Sequence, residues 1–165
     1  MCTRSGEVSK PSRLLQSLTP TQADVNAQLS SLTPSDGNDL PGSHLEALYQ
    51  GTTGEGLSIT SPFVYSIPAS PVGWRTNALH AIVLISDSPF HDPLIDYPYP
   101  GHTFEQTIEA MNSNAVEMIG LSVGSGYGIN DMQTIAAGTG GLPFPTVYFD
   151  PGLVLEGLGA LMSQY

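Results

Sequence analysis

Basic residues are scarce in this chain. Of 165 residues only 4 are Lys or Arg, against 15 Asp and Glu, and charged residues make up 12% of the sequence. Three of the four bases (Arg4, Lys10 and Arg13) lie in the first thirteen residues. From residue 14 onward Arg75 is the one base. It faces fourteen carboxylates, since only Glu7 of the 15 lies earlier. A nucleic-acid module neutralises phosphates with Lys and Arg, so this balance excludes one. It also argues against docking on an anionic membrane, where basic residues supply the attraction. Cysteine is nearly absent. The single Cys2 excludes a disulfide framework and a Cys-rich zinc site. Long apolar runs are missing too. The longest, around Ala81 to Ile85, is far below the ~20 residues that span a bilayer. The opening MCTRSGEVSKPSRLLQ has no apolar core and does not read as a signal peptide.

What is present is a patterned, 40% hydrophobic chain of a length that favours one domain. A domain of this size buries roughly 70% of its unfolded surface, enough for a real core. Residues 1–13 read as a disordered leader and 14–165 as the folded part. Helix starts follow the capping-box pattern at Thr19/Gln22, Ser43/Glu46, Thr103/Gln106 and Asn130/Gln133. Thr19 and Pro20 precede an i, i+4, i+7 stripe of Val25, Leu29 and Leu32. Asp150 and Pro151 open a last helix whose three glycines weaken it, each by roughly 1 kcal/mol against Ala. Three apolar runs, Leu79 to Ser86, Ala115 to Val123 and Thr146 to Phe149, read as buried strands. From residue 79 the order strand, helix, strand, helix, strand, helix predicts an α/β fold, a doubly wound parallel sheet flanked by helices. The Gly, Ser and Pro-rich stretch 51–77 is long for a bare loop, so it either holds a short strand or folds against the domain surface.

In such a sheet, ligands sit beyond the carboxyl ends of the strands. Ser86 to Asp92 (SDSPFHD) falls there. A carboxylate among hydroxyls can bind a hard cation through oxygen, while Asp87 as a turn cap is an equal reading. His91, one imidazole in a polar loop, reads as solvated. Gly120 to Gly124 fits G-x-S-x-G, but Ser122 lies inside the strand pattern rather than at a strand-to-helix turn. No Lys-Ser or Lys-Thr follows the Gly124 to Gly128 run, so it is not a P-loop. His44, His80, His91 and His102 lack metal-site spacing.

Val72-Gly73-Trp74-Arg75, the apolar strand after it, Ser86-Asp87 and Phe90-His91 together resemble the integrin β-subunit I-like domain and its bacterial relatives, in the von Willebrand factor A superfamily. VEMIGLSVG resembles the fifth strand of that family, and DMQTIAAGTGG the helix and Thr-Gly-Gly turn that follow. Asp39-Leu40-Pro41-Gly42 resembles the family's Asp-x-Pro-Glu loop. The resemblance covers about residues 14–163. The family's Asp-x-Ser-x-Ser motif is absent, and Gly42 stands where the family has Glu. The chain therefore resembles the last two-thirds of such a domain, without its first strands.

The resemblance implies a non-enzymatic, adhesion-type protein-binding module, extracellular or at the cell surface. Asp87 would serve the metal-ion-dependent adhesion site and Asp39 a neighbouring site. Magnesium or calcium binding should be weak or absent, since such a cation takes six or more oxygens. It further implies a protein ligand, and an exposed strand edge that pairs either with the rest of a domain or with another copy. Two other readings stand beside it. One is a small serine hydrolase using Ser122, although every histidine precedes Ser122, the reverse of the hydrolase order. The other is a degenerate copy without a ligand site.

Overall fold

A computed structural model of the chain describes residues 13–33, 40–60, 65–124, 126–146 and 148–164. The elements in chain order are α1 (Gln22–Ser30), α2 (His44–Thr53), β1 (Leu57–Ile59), β2 (Tyr65–Ile67) and β3 (His80–Ser86), then α3 (Phe104–Ser113), β4 (Val116–Ser122), α4 (Ile129–Thr139), β5 (Leu142–Pro145) and α5 (Pro151–Met162). Strands β3, β4 and β5 form a parallel sheet in that order. The architecture is α/β, a three-stranded parallel sheet flanked by helices, compatible with a Rossmann-like fold. The 51–77 stretch does hold strands: β1 and β2 pair as an antiparallel hairpin. The expected leader lies outside the described residues apart from Arg13.

The run of β4 fits a strand covered on both faces and is buried along its length, whereas β3, expected to be buried too, leaves Val83 and Ile85 exposed on one face. On one face Ile82, Leu84, Val116 and Met118 join Leu45 and Leu48 of α2, Met111 of α3 and Met132, Ile135 and Ala136 of α4 in one core cluster. On the other face α5 crosses β4. Gly157 lies so close that a side chain there would press on Ile119, with Cγ2 at 3.0 Å from an added Cβ. Leu161 is fully buried beside it. One glycine that weakens this helix in isolation is thus what lets it seat on the sheet. Asp150 caps it, its Oδ1 accepting from the Gly152 amide at 2.8 Å.

The capping box forms in full at α3. Thr103 Oγ1 accepts from the Gln106 amide at 3.2 Å, and Gln106 Oε1 accepts from the Thr103 amide at 3.0 Å. It does not form at α2, where Ser43 makes no side-chain cap and Glu46 turns into the interior. It does not form at α4 either, which starts at Ile129 behind Gly128.

Two expectations fail outright. Of the stripe Val25, Leu29 and Leu32, only the first two lie on α1, which ends at Ser30, and α1 buries no residue. The third strand is Leu142–Pro145, not Thr146 to Phe149, and Tyr148 and Phe149 are exposed. The Thr146 amide donates to the Ser122 carbonyl at 2.9 Å, so even-numbered residues of this segment face β4. Pro143 and Pro145 then point their missing N–H groups at the sheet's outer edge, where proline is tolerated.

Candidate functional site

The site is the carboxyl end of β3, where Ser86 to Asp92 leaves the sheet. Short side chains fold this segment locally. The Ser88 amide donates to Ser86 Oγ at 3.1 Å, and Ser86 Oγ donates back to the Ser88 carbonyl at 3.3 Å. Two outside segments then fix it. Asp131, in the first turn of α4, accepts from the Phe90 amide through Oδ2 at 2.8 Å. Gly42 bridges Phe90 in parallel fashion: its amide donates to the Pro89 carbonyl at 2.8 Å, and its carbonyl accepts from the His91 amide at 2.9 Å. Phe90 itself is buried, with His44 stacked on it at 4.6 Å and Phe104 at 6.1 Å between ring centroids.

Gly42 suits this approach. A Cβ there would collide with the His44 ring and reach Ser88 Oγ at 3.0 Å. The residue that removes a carboxylate from the resembled loop is therefore the one that lets the loop seat against β3.

Asp87 is exposed at the tip, and among the described residues its carboxylate makes no hydrogen bond. A Cβ on Gly124, in the loop after β4, would lie 3.8 Å from the Asp87 Cβ, so the two loops border one another. Asp39 lies outside the described residues. His91 is not solvated. It is buried, its Nδ1 is 3.0 Å from Asp96 Oδ2, and its ring stacks on Tyr99 at 4.2 Å. Asp96 Oδ2 also accepts from the Asp92 amide at 3.1 Å, and Asp92 Oδ1 from the Leu94 amide at 2.9 Å. The acidic residues of the 91–99 loop thus organise their own backbone.

Ser122 is the last residue of β4, with a fully buried hydroxyl and no hydrogen bond among the described residues. The chain turns only later, at Gly124 and Gly126, both with positive φ. No histidine nitrogen contacts Ser122 Oγ as a base would.

His44 borders the site electrostatically. Burial pushes its imidazole below the ordinary value of 6.5, partly offset by the Gly42 backbone and by the carboxylates of Asp131 and Asp87. The unfolded chain then takes up this proton at higher pH than the folded one. Stability from this group is therefore full above about pH 6.5 and declines as the pH falls below it. Urea midpoints measured from pH 8 down to pH 5 should show this loss, and His44→Gln should flatten that part of the profile.

A second polar cluster escapes the sequence pattern. Glu46 is fully buried in α2. Its Oε2 accepts from both the His102 amide at 3.1 Å and His102 Nδ1 at 2.8 Å, and its Oε1 accepts from Gln50 Nε2 at 2.8 Å. Tyr49 stacks on His102 at 3.4 Å and donates to Glu55 Oε2 at 3.0 Å. Burial, and then the Glu55 charge, push its phenol above the ordinary value. This cluster ties α2 to the start of α3.

Among the described residues, no group of three or more His, Cys, Asp and Glu side chains is placed to hold a metal ion. No described helix is long and apolar enough to cross a membrane. No family model matches the chain, and no curated protein matches it.

Proposed function

We propose that this α/β unit is part of a von Willebrand factor A-like domain and acts as a non-enzymatic, adhesion-type protein-binding module. Its ligand surface is the carboxyl edge of the sheet, and its setting is extracellular or cell-surface. The observation that carries this reading is the Gly42–Phe90 bridge. The resemblance assigns two separate segments, Asp39 to Gly42 and Ser86 to His91, to neighbouring sites, and this bridge sets Gly42 of the first beside Phe90 of the second. The loop is held from both sides, while Asp87 stays exposed at its tip. A rigid loop with a free carboxylate suits recognition, since little ordering cost is left for the moment of binding.

Asp87, with Asp39 where the resemblance places it, would meet magnesium or calcium weakly, because two carboxylates fall short of the six or more oxygens of a tight site. A magnesium titration followed by amide NMR tests this. Shifts should develop in the millimolar range, centre on residues 87–91 and 40–44, and disappear in Asp87→Ala. Shifts that ignore Asp87→Ala would count against the metal role. Covalent labelling of Ser122 by a fluorophosphonate would count against the non-enzymatic one.

A further inference from the structure

Strand β3 is an edge of the sheet among the described residues, yet it carries none of the usual protections of an edge. Its sequence, HAIVLIS, has no Lys, Glu or Pro, and its register with β4 runs unbroken through seven residue pairs, so it has no bulge. The Ser86 carbonyl accepts from the Val123 amide at 2.9 Å, which turns the even-numbered residues of β3 toward β4. The N–H and C=O groups of Ala81, Val83 and Ile85 then point outward, and no hydrogen bond of the described residues reaches them. The side chains of these residues stand on the face opposite Ile82 and Leu84, beyond α5. Val83 is 39% exposed there and Ile85 48%.

We infer that this edge is where a second copy of the chain binds, by antiparallel pairing of β3 with β3 across a two-fold axis at Val83. The edge is self-complementary in that register. Val83 faces Val83 of the other copy, and Ala81 faces Ile85 both ways. Opposed residues of an antiparallel pair that point their backbone groups at each other exchange two hydrogen bonds. The three outward residues of each copy satisfy one another in this way with none left over. Opposed side chains share a face, so each exposed Val83 is covered by the other copy's Val83 and each exposed Ile85 by the other copy's Ala81.

Charge points to the same orientation. Two copies of a chain with net charge −11 repel in general, so a pairing must oppose unlike ends. The Arg75 carbonyl is held by His80 Nε2 at 2.9 Å. The one base after residue 13 therefore sits at the amino end of β3, exposed and with no ion pair among the described residues. Antiparallel pairing brings that end beside the exposed Asp87 of the other copy. Parallel pairing would instead set Asp87 beside Asp87.

Light scattering on the full chain at micromolar concentration should give the mass of two chains. Val83→Lys puts two like charges on the axis at an already exposed position and should give a monomer with an unchanged circular dichroism spectrum. In a Cys2→Ser background, Val83→Cys should cross-link on mild oxidation, because opposed Cα atoms about 5.5 Å apart lie within disulfide reach. Ile82→Cys, facing the core, should not. A monomeric wild-type chain overturns the inference. So does a Val83→Lys dimer, or an uncrosslinked Val83→Cys dimer.

Discussion

Glu46→Ala should cost about 3 kcal/mol of folding stability, in the range for removing one member of a buried, hydrogen-bonded polar pair. The carboxyl group serves three donors at once, the His102 amide, His102 Nδ1 and Gln50 Nε2. Its loss strips all three. Gln50 in turn accepts from the Gly56 amide through Oε1 at 2.7 Å. The damage therefore spreads from the α3 entry to the start of the β1–β2 hairpin. The Tyr49–His102 stack loses the bond that orients its imidazole. Glu46→Gln keeps the side chain's size and one carbonyl acceptor, so it should lose about half as much. Urea unfolding followed by circular dichroism reads both values. A loss below about 0.5 kcal/mol for Glu46→Ala would mean that the cluster has no such role.

Gly128→Ala should cost about 2 kcal/mol, the scale of overpacking in a tight site. Its φ of −82° is ordinary for alanine, so backbone conformation is not the obstacle. The obstacle is the Ser88 carbonyl, which an added Cβ would strike. A backbone oxygen cannot rotate away as a side chain can, so Ser88 or the start of α4 must move. Ser88 sits between Asp87 and the Phe90 amide that Asp131 holds. The same substitution should therefore disturb the amide signals of residues 86–92 and remove their response to magnesium. A variant with wild-type stability and wild-type loop signals would show that α4 and the loop are not in close contact.

Much of the fold is legible in the sequence because local and global signals agree. The runs of β3 and β4 are mostly apolar; β4 is buried along its length, and β3 packs one face on the core. The Thr103/Gln106 spacing forms both of its bonds. The failures lie where tertiary context decides. The third strand is expected at Thr146 to Phe149 but forms at Leu142–Pro145, where an edge strand accepts Pro143 and Pro145 on its outer side. Glu46 matches a capping-box spacing, yet burial and His102 claim its carboxyl. His91 in a polar loop reads as solvated, yet Asp96 and Tyr99 enclose it. At the site, Asp87 at the strand end is legible from position alone. Gly42 and Asp131, which fix the loop, are not, because they act across 48 and 41 residues of sequence.

The carboxyl edge of the sheet, with Asp87 at its tip, is the binding surface we propose. Residue-resolved amide shifts under added magnesium test it most directly. The expected response lies in the millimolar range, is confined to segments 40–44 and 86–92, and is abolished by Asp87→Ala. Shifts that centre elsewhere, or that persist unchanged in Asp87→Ala, would contradict it.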